Sequence, residues 1–138
     1  MDNCLFCKII KGEIPCYKIY EDAYTLAFLD IAKDADGHTL VLPKKHCSSL
    51  LDCDKETLSH VMETVQLISN HYVNNCGFTG INVINNNGSS AEQSIHHLHI
   101  HIIPRVNKVF FIISALFFIL VSDYKFSLYY NILQAKIW

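Results

Sequence analysis

Histidine is concentrated in one short stretch of this chain, and its spacing there constrains the fold more than any other feature. Four of the eight histidines lie within six residues, and three of them alternate with aliphatic residues: His97, His99 and His101. A strand over residues 95–103 would place these imidazoles about 7 Å apart on one face and the aliphatic residues on the other. His96 would point the opposite way. Three imidazoles along one exposed strip are costly to explain by packing, so we interpret them as a functional site.

Such a strip of imidazoles can serve two kinds of chemistry. Imidazole is a common zinc ligand, and its spacing at i, i+2 and i+4 on a strand is compatible with a metal site. A neutral imidazole nitrogen can also attack phosphorus and leave again, which permits covalent catalysis. The histidines by themselves leave both possibilities open.

Composition limits the classes of function that the site can serve. A chain of 138 residues suits one domain with a buried core. A formal net charge of -2 provides no basic field for a nucleic-acid backbone, so we expect no nucleic-acid partner. The first residues show no secretory signal, because no basic start precedes a long apolar run. We therefore expect a reducing compartment, the cytoplasm, with the nucleus as an alternative.

Periodicity predicts helices and strands in one α+β domain. Residues 54–75 are the clearest helix, with Asp54 as its N-cap. Strands are predicted over residues 17–21, 25–30, 38–42, 81–84 and 95–103, the last stopped by Pro104, and a short helix or turn over residues 4–11. Apolar residues recur every three or four positions along the long helix and predict one buried stripe: Leu58, Val61, Met62, Val65, Ile68 and Tyr72.

The composition changes near residue 109. Residues 109–121 form an apolar run of thirteen residues that only Ser114 interrupts, shorter than the about 20 that a membrane-spanning helix needs. A buried element is the simplest interpretation, and a short membrane anchor or a stretch that is not native coding sequence are the alternatives. We therefore divide the chain into a domain of residues 1–107 and a hydrophobic tail of residues 108–138.

The sequence around the histidines resembles the signature of the histidine triad (HIT) family. Residues 93–103, QSIHHLHIHII, are similar to its pattern of three histidines alternating with aliphatic residues. The resemblance extends over residues 4–105 and includes CLFCKIIKGEIP, YEDAYTLAFLDI and GHTLVLPKKH, as in the Hint- and Hit-type branch that begins with C-x-x-C. It implies an α+β fold with an antiparallel sheet of about five strands, one long helix, a short N-terminal helix, and a homodimer.

The resemblance also implies a reaction. His99 would be the nucleophile that forms a covalent nucleotidyl–histidine with a purine nucleoside phosphoramidate or a related AMP-linked substrate, and no organic cofactor is implied. His101 would contact the phosphate, while Asn86 and Ser94 would lie near the phosphate and the leaving group. A dinucleoside polyphosphate hydrolase of Fhit type and a non-catalytic nucleotide-binding interaction protein are the alternatives.

A purine nucleotide pocket follows from the same resemblance. Asp30 would accept hydrogen bonds from the ribose hydroxyls, which suits a carboxylate beside a sugar. Phe28 and Ile31 would enclose the base. The remaining pocket residues that the resemblance implies, apart from the catalytic ones, are Leu5, Phe6, Ile9, His38 and Gln93.

The N-terminal cysteine pair, Cys4 and Cys7, is by itself compatible with a redox dithiol, half of a zinc site, or chance. The resemblance completes a Cys2His2 set with His46 and His97, which is a typical closed structural zinc site. His97 would then tie the N-terminal segment to the catalytic strand. The other four cysteines show no ligand spacing: Cys16, Cys47, Cys53 and Cys76.

Overall fold

The computed structural model describes residues 3–32 and 35–106, and these contain two α-helices and five strands. The strands form one antiparallel sheet in the order β1-β2-β3-β5-β4, which confirms the predicted α+β fold. The elements in chain order are α1 (Leu5–Ile10), β1 (Lys18–Glu21), β2 (Thr25–Leu29), β3 (Thr39–Pro43), α2 (Lys55–Asn75), β4 (Gly80–Ile84), a 3₁₀ turn (Ser89–Ala91) and β5 (Ile100–Arg105).

The apolar run over residues 109–121 and the predicted tail lie outside the described residues. Within residues 3–32 and 35–106, no helix is long and apolar enough to cross a membrane.

Helix α2 begins where the sequence predicts. Asp54 caps it, because its carboxylate accepts a hydrogen bond from the Thr57 backbone N–H at 2.9 Å. Four members of the predicted stripe are buried against the sheet: Val61, Val65, Ile68 and Tyr72.

The predicted stripe is wrong at Met62. Met62 is 50% exposed and Leu58 is half-buried. The buried residues of the helix lie within about 60° of Val61 around the helix axis, whereas Met62 lies about 100° from Val61 and outside this arc. Thr64 is buried instead, and its hydroxyl lies 2.8 Å from the Thr25 hydroxyl on β2. A satisfied hydrogen bond allows this polar residue in the core.

The sheet separates two clusters of buried side chains. Helix α2 covers one face, where Val41, Ile100 and Ile102 contribute to the larger cluster. Helix α1 covers the other face through Phe6, together with residues such as Phe28 and Leu40. Residues paired across an antiparallel sheet share a face. Because Leu40 pairs with both Phe28 and His101, His101 lies on the α1 side of the sheet.

The predicted histidine strand differs in its bounds. Strand β5 begins at Ile100, because residues 95–99 form a turn in which the His97 N–H donates to the Ile95 carbonyl at 2.9 Å. His97 and His99 therefore precede the strand and are buried, so the exposed strip is wrong, although Leu98 between them is buried as predicted. The strand continues through Pro104, which lies beyond the last pair with β3, where a proline is tolerated.

Candidate active site and metal centre

Two cysteines and two histidines converge beside the N-terminal helix. Cys4 and Cys7 lie at the start of α1, His46 follows β3, and His97 lies in the turn before β5. The ligand atoms of all four lie within 4.8 Å of one another. We call these four residues the Cys–His cluster, and they are the set that the resemblance implies.

The distances in the Cys–His cluster fit a tetrahedral zinc ion. Ideal zinc–ligand bonds place sulfur and nitrogen ligands about 3.6 Å apart and two nitrogens about 3.3 Å apart. The His97 Nδ1 lies 3.5 Å from the Cys4 Sγ and 3.6 Å from the Cys7 Sγ. The Cys7 Sγ lies 3.3 Å from the His46 Nδ1, and the two Nδ1 atoms are 3.2 Å apart. The four side chains therefore offer one ligand atom each at the spacing that zinc needs.

The other ring nitrogen of His97 fixes its orientation. The Nε2 lies 2.9 Å from the Pro43 carbonyl, which can only accept, so the Nε2 carries the proton and the Nδ1 lone pair faces the cysteines. Burial lowers the pKa of His97 to about 4, with His46 and His99 contributing further, so the ring is neutral at neutral pH. A neutral ring held by a backbone carbonyl is the usual state of a zinc-binding histidine.

His99 is oriented in the opposite sense. Its Nδ1 lies 2.7 Å from the His97 carbonyl and therefore donates to it. Its Nε2 makes no hydrogen bond with any residue in the described ranges, so the ring presents this nitrogen with a free lone pair. The Phe6 ring packs edge-on against His99 with centroids 5.1 Å apart. The Asn85 amide donates to the His99 carbonyl at 2.8 Å and fixes the backbone on which the ring stands.

His101 belongs to a polar group with His38 and Asp30. The His101 Nδ1 lies 2.9 Å from the His38 Nε2, and the Asp30 Oδ2 lies 3.7 Å from that same nitrogen. The separation of the two nitrogens is that of a hydrogen bond, shorter than the about 3.3 Å between two nitrogens on one tetrahedral metal. One imidazole therefore donates to the other, beside the Asp30 carboxylate. The rings of His99 and His101 lie 5.0 Å apart, which connects this group to the histidine turn.

The polar loop that precedes the histidines is braced by two of its asparagines. The Asn87 Nδ2 donates to the Asn85 Oδ1 at 2.6 Å, and the Asn87 Oδ1 accepts from the Leu50 N–H at 2.8 Å. Asn86 lies between them, half-buried, and among residues 3–32 and 35–106 its side chain makes no hydrogen bond. Ser94 is exposed.

Gln93 is buried and stabilises this loop through hydrogen bonds. Its Nε2 donates to the Ser48 and Ile95 carbonyls at 2.6 and 3.0 Å, and its Oε1 accepts from the Gly88 N–H at 2.8 Å. Both amide protons are therefore used within the chain. A nucleotide contact from Gln93 stays a prediction, and it is restricted to the remaining lone pair of the oxygen.

The predicted pocket residues divide into buried and exposed ones. Phe6 and Phe28 are buried and pack edge-on with centroids 5.8 Å apart, and Ile9 packs against the same cluster. Leu5 and Ile31 are exposed, Ile31 by 83%. Phe6 contacts both Phe28 and His99, so it joins the predicted pocket to the histidine turn. Enclosure of a base between Phe28 and Ile31 stays a prediction.

Two features of the site were not predicted from the sequence. The contact between His38 and His101 depends on the pairing of Leu40 with His101, a register between distant parts of the chain. The bond from Asn85 to the His99 carbonyl is also long-range. The run of three asparagines in residues 85–87 was a signal for such a bracing loop, although spacing alone does not say which amide braces.

Comparison with known proteins identifies the relatives of this chain. The sequence profile of the HIT domain matches residues 11–108. Protein hit of Bacillus subtilis is 45% identical over 107 residues, which cover 78% of this chain and 74% of that protein. An adenosine 5'-monophosphoramidase of Schizosaccharomyces pombe is 42% identical over 106 residues, 77% of each protein. A crystal structure of a zinc-bound histidine triad family protein from Mycobacterium smegmatis has a TM-score of 0.81 at 30% identity, covering 99% of this chain and 94% of that chain.

The fold and the arrangement of histidines define an α+β histidine triad domain. The chain belongs to the HIT family, and its relatives are of the Hit and phosphoramidase type that the resemblance predicts.

Proposed function

We propose that this protein is a HIT-family nucleotide hydrolase or transferase that acts on purine nucleoside phosphoramidates or related AMP-linked substrates. His99 attacks the α-phosphate, the leaving group departs, and water hydrolyses the resulting nucleotidyl–histidine. The name of the fission yeast relative, an adenosine 5'-monophosphoramidase, supports the substrate class.

The orientation of the His99 ring carries this proposal. Its Nδ1 donates to the His97 carbonyl at 2.7 Å, so its Nε2 holds the lone pair needed for attack on phosphorus. Attack through Nε2 makes the ring cationic, and the hydrogen bond from Nδ1 to a carbonyl stabilises that charge. The same bond keeps the ring from rotating, so no part of the binding energy is spent on orienting the nucleophile.

The His101, His38 and Asp30 group supports the handling of charge beside the nucleophile. The hydrogen-bonded pair of imidazoles and the Asp30 carboxylate place polar groups beside the proposed nucleophile. We assign His101 to the phosphate and Asn86 and Ser94 to the region of the leaving group. Asp30 keeps its predicted role at the ribose, and its Oδ1 also accepts from the Ala32 N–H at 3.0 Å.

Zinc is the metal that we propose for the Cys–His cluster. The distances fit a closed tetrahedral Cys2His2 site, and a zinc-bound family structure supports the same choice. The ion would supply stability and no reactive chemistry, because four protein ligands leave no open position. Metal analysis of the purified protein should find about one zinc per chain; a fully folded, metal-free protein would contradict the site.

We also propose a homodimer located in the cytoplasm, with the nucleus as the alternative. Strand β4 is an edge strand of the sheet, and its Val83 and Ile84 side chains are 48% and 43% exposed. An apolar edge of this kind is suited to pairing with a second copy. Light scattering during size-exclusion chromatography should give twice the chain mass, whereas a monomer at all concentrations would rule the dimer out.

A trapped intermediate tests the reaction directly. An adenosine phosphoramidate radiolabelled at phosphorus should leave an acid-quenched, labelled adduct on the wild-type protein, and the adduct should be absent in His99→Ala. His96→Ala is the matched control, because His96 is exposed and adjacent in sequence. An undiminished adduct in His99→Ala would overturn the nucleophile assignment, and no adduct or turnover in any variant would favour a non-catalytic nucleotide-binding protein.

A second assay separates the two enzymatic alternatives. We expect kcat/KM for the adenosine phosphoramidate to exceed that for a diadenosine polyphosphate. The reverse order would favour the Fhit-type alternative without affecting the assignment of His99.

A further inference from the structure

A second pair of cysteines lies outside the Cys–His cluster and has no part in the proposed reaction. The Cys47 Sγ lies 2.6 Å from the Cys53 Sγ, although the two residues are six positions apart in the chain. Both are free thiols, and the covalent sulfur–sulfur distance is about 2.05 Å. We propose that Cys47 and Cys53 are a modification site, which forms a reversible disulfide by exchange with a low-molecular-weight disulfide such as oxidised glutathione.

The order of attack follows from exposure. Cys53 is partly exposed, whereas Cys47 is 7% exposed. The Cys53 sulfur attacks one glutathione sulfur, the glutathione disulfide bond breaks, and one glutathione leaves as a thiol. The Cys47 sulfur then attacks Cys53 in the mixed disulfide, releases its proton, and expels the second glutathione. Two protein thiols are oxidised and one glutathione disulfide is reduced to two thiols, so the exchange balances.

The peptide between the two cysteines is a turn that already holds them together. The Asp52 carboxylate accepts from the Ser48 and Ser49 N–H groups at 2.8 and 2.7 Å. The chain is therefore folded back before any bond forms, and closure requires little backbone movement. We call residues 47–53 the dithiol loop.

The dithiol loop contacts the site on its other side. The Cys47 carbonyl accepts from the Leu98 N–H at 2.8 Å, between the zinc-type His97 and the nucleophile His99. The Ser48 carbonyl accepts from Gln93, and the Leu50 N–H donates to Asn87. A disulfide across the base of this loop would restrict the segment that supports the histidine turn. In a reducing compartment such bonds are transient and serve redox sensing.

Quantitative alkylation tests the modification site. The full-length chain, kept in zinc-containing buffer, is equilibrated in a series of reduced and oxidised glutathione, quenched with a maleimide, and mapped by peptide mass spectrometry. Cys47 and Cys53 should lose alkylation together and appear as one cross-linked peptide, and dithiothreitol should restore both. Thiols that stay alkylated throughout the series, or a mixed disulfide that accumulates on Cys53, would overturn the proposal.

Two variants and a local probe sharpen this test. Cys53→Ser should abolish the cross-link, whereas Cys16→Ser, which removes a half-buried thiol elsewhere, should leave the transition unchanged. Cys53→Ala serves as a second variant if the serine is not tolerated. Oxidation should slow hydrogen exchange of the Leu50 and Leu98 amides in the wild type and not in Cys53→Ser. Unchanged exchange in the oxidised wild type would refute the restriction of the loop.

Discussion

The two ends of the histidine run use the same residue type for opposite purposes. At one end, His97 is completely buried, its Nε2 binds a carbonyl, and its Nδ1 faces two thiols and His46. At the other end, His99 binds a carbonyl through Nδ1 and leaves Nε2 available. The ring nitrogen that binds the backbone therefore differs between the two histidines, and this difference matches the two roles that we propose for them.

The physical difference lies in what surrounds the available nitrogen. The Nδ1 of His97 lies within 4.8 Å of the three other ligand atoms of the Cys–His cluster. The His99 ring packs against Phe6 and lies beside His101, which belongs to the group with His38 and Asp30. One carbonyl links the two ends, because the His97 carbonyl accepts from the His99 ring. A metal ion bound to His97 would therefore also hold the proposed nucleophile in place.

The largest effects that we expect come from substituting one residue at each site. A substitution of His99 should mainly lower activity, and a substitution in the Cys–His cluster should mainly lower zinc content and stability. His99→Ala should lower kcat by at least about 10⁴-fold, because it removes the proposed nucleophile, and should keep its zinc, with a smaller loss of stability than Cys7→Ser. Cys7→Ser should lose zinc and lower the free energy of unfolding by about 3 kcal/mol or more.

Steady-state kinetics, metal analysis and calorimetry measure this pair of effects. Cys16→Ser is the matched control for the cysteine substitution. If Cys7→Ser kept its zinc and stability while His99→Ala lost both, the division between the two ends would be wrong.

The sequence predicted those elements whose signal is local. The four buried positions of α2 and its Asp54 cap follow from spacing within one segment. The C-x-x-C pair was visible, but its two histidine partners came from the resemblance, because His46 and His97 are distant in sequence from it.

The start of β5 was predicted wrongly for the same reason. Alternating histidine and aliphatic residues fit a strand over residues 95–99, and they equally fit a turn. The choice is made by the Leu98 N–H, which donates to the Cys47 carbonyl 51 positions earlier in the chain. No local pattern encodes that bond, and the burial of His97 and His99 follows from it.

Acid should destabilise the metal-free protein through protonation of His97. The folded pKa of His97 is about 4, below its usual value near 6.5, so the unfolded chain binds more protons between these values. The free energy of unfolding should therefore fall as the pH falls from about 6.5 to about 4, by up to about 3 kcal/mol. Urea unfolding after chelation measures it. His97→Gln cannot titrate and should show a shallower slope; an equal slope would contradict the assignment.

Substitution of Asp30 should weaken nucleotide binding rather than lower the stability of the protein. Asp30→Asn keeps an oxygen for the Ala32 N–H but removes the charge offered to the ribose, so AMP binding should weaken about 10- to 100-fold. Calorimetric titration with AMP measures the affinity, and Asp36→Asn is the matched control. Unchanged affinity in Asp30→Asn, with Asp36→Asn equally unaffected, would remove the ribose role.

The smallest effects are expected in the asparagine run, where the neighbouring residues Asn85 and Asn86 should have different roles. We expect Asn85 to stabilise the backbone at His99 and Asn86 to contact the substrate. Asn85→Ala leaves the His99 carbonyl without its donor, so the free energy of unfolding should fall by about 1–2 kcal/mol and kcat should fall with it. Asn86→Ala removes a side chain that makes no hydrogen bond within the described residues. The free energy of unfolding should therefore change by less than about 0.5 kcal/mol, while kcat falls. Denaturant titration and steady-state kinetics on both variants separate positioning from contact with substrate. Equal losses of stability in the two variants would show that Asn86 also braces the loop, and its catalytic assignment would then have no support.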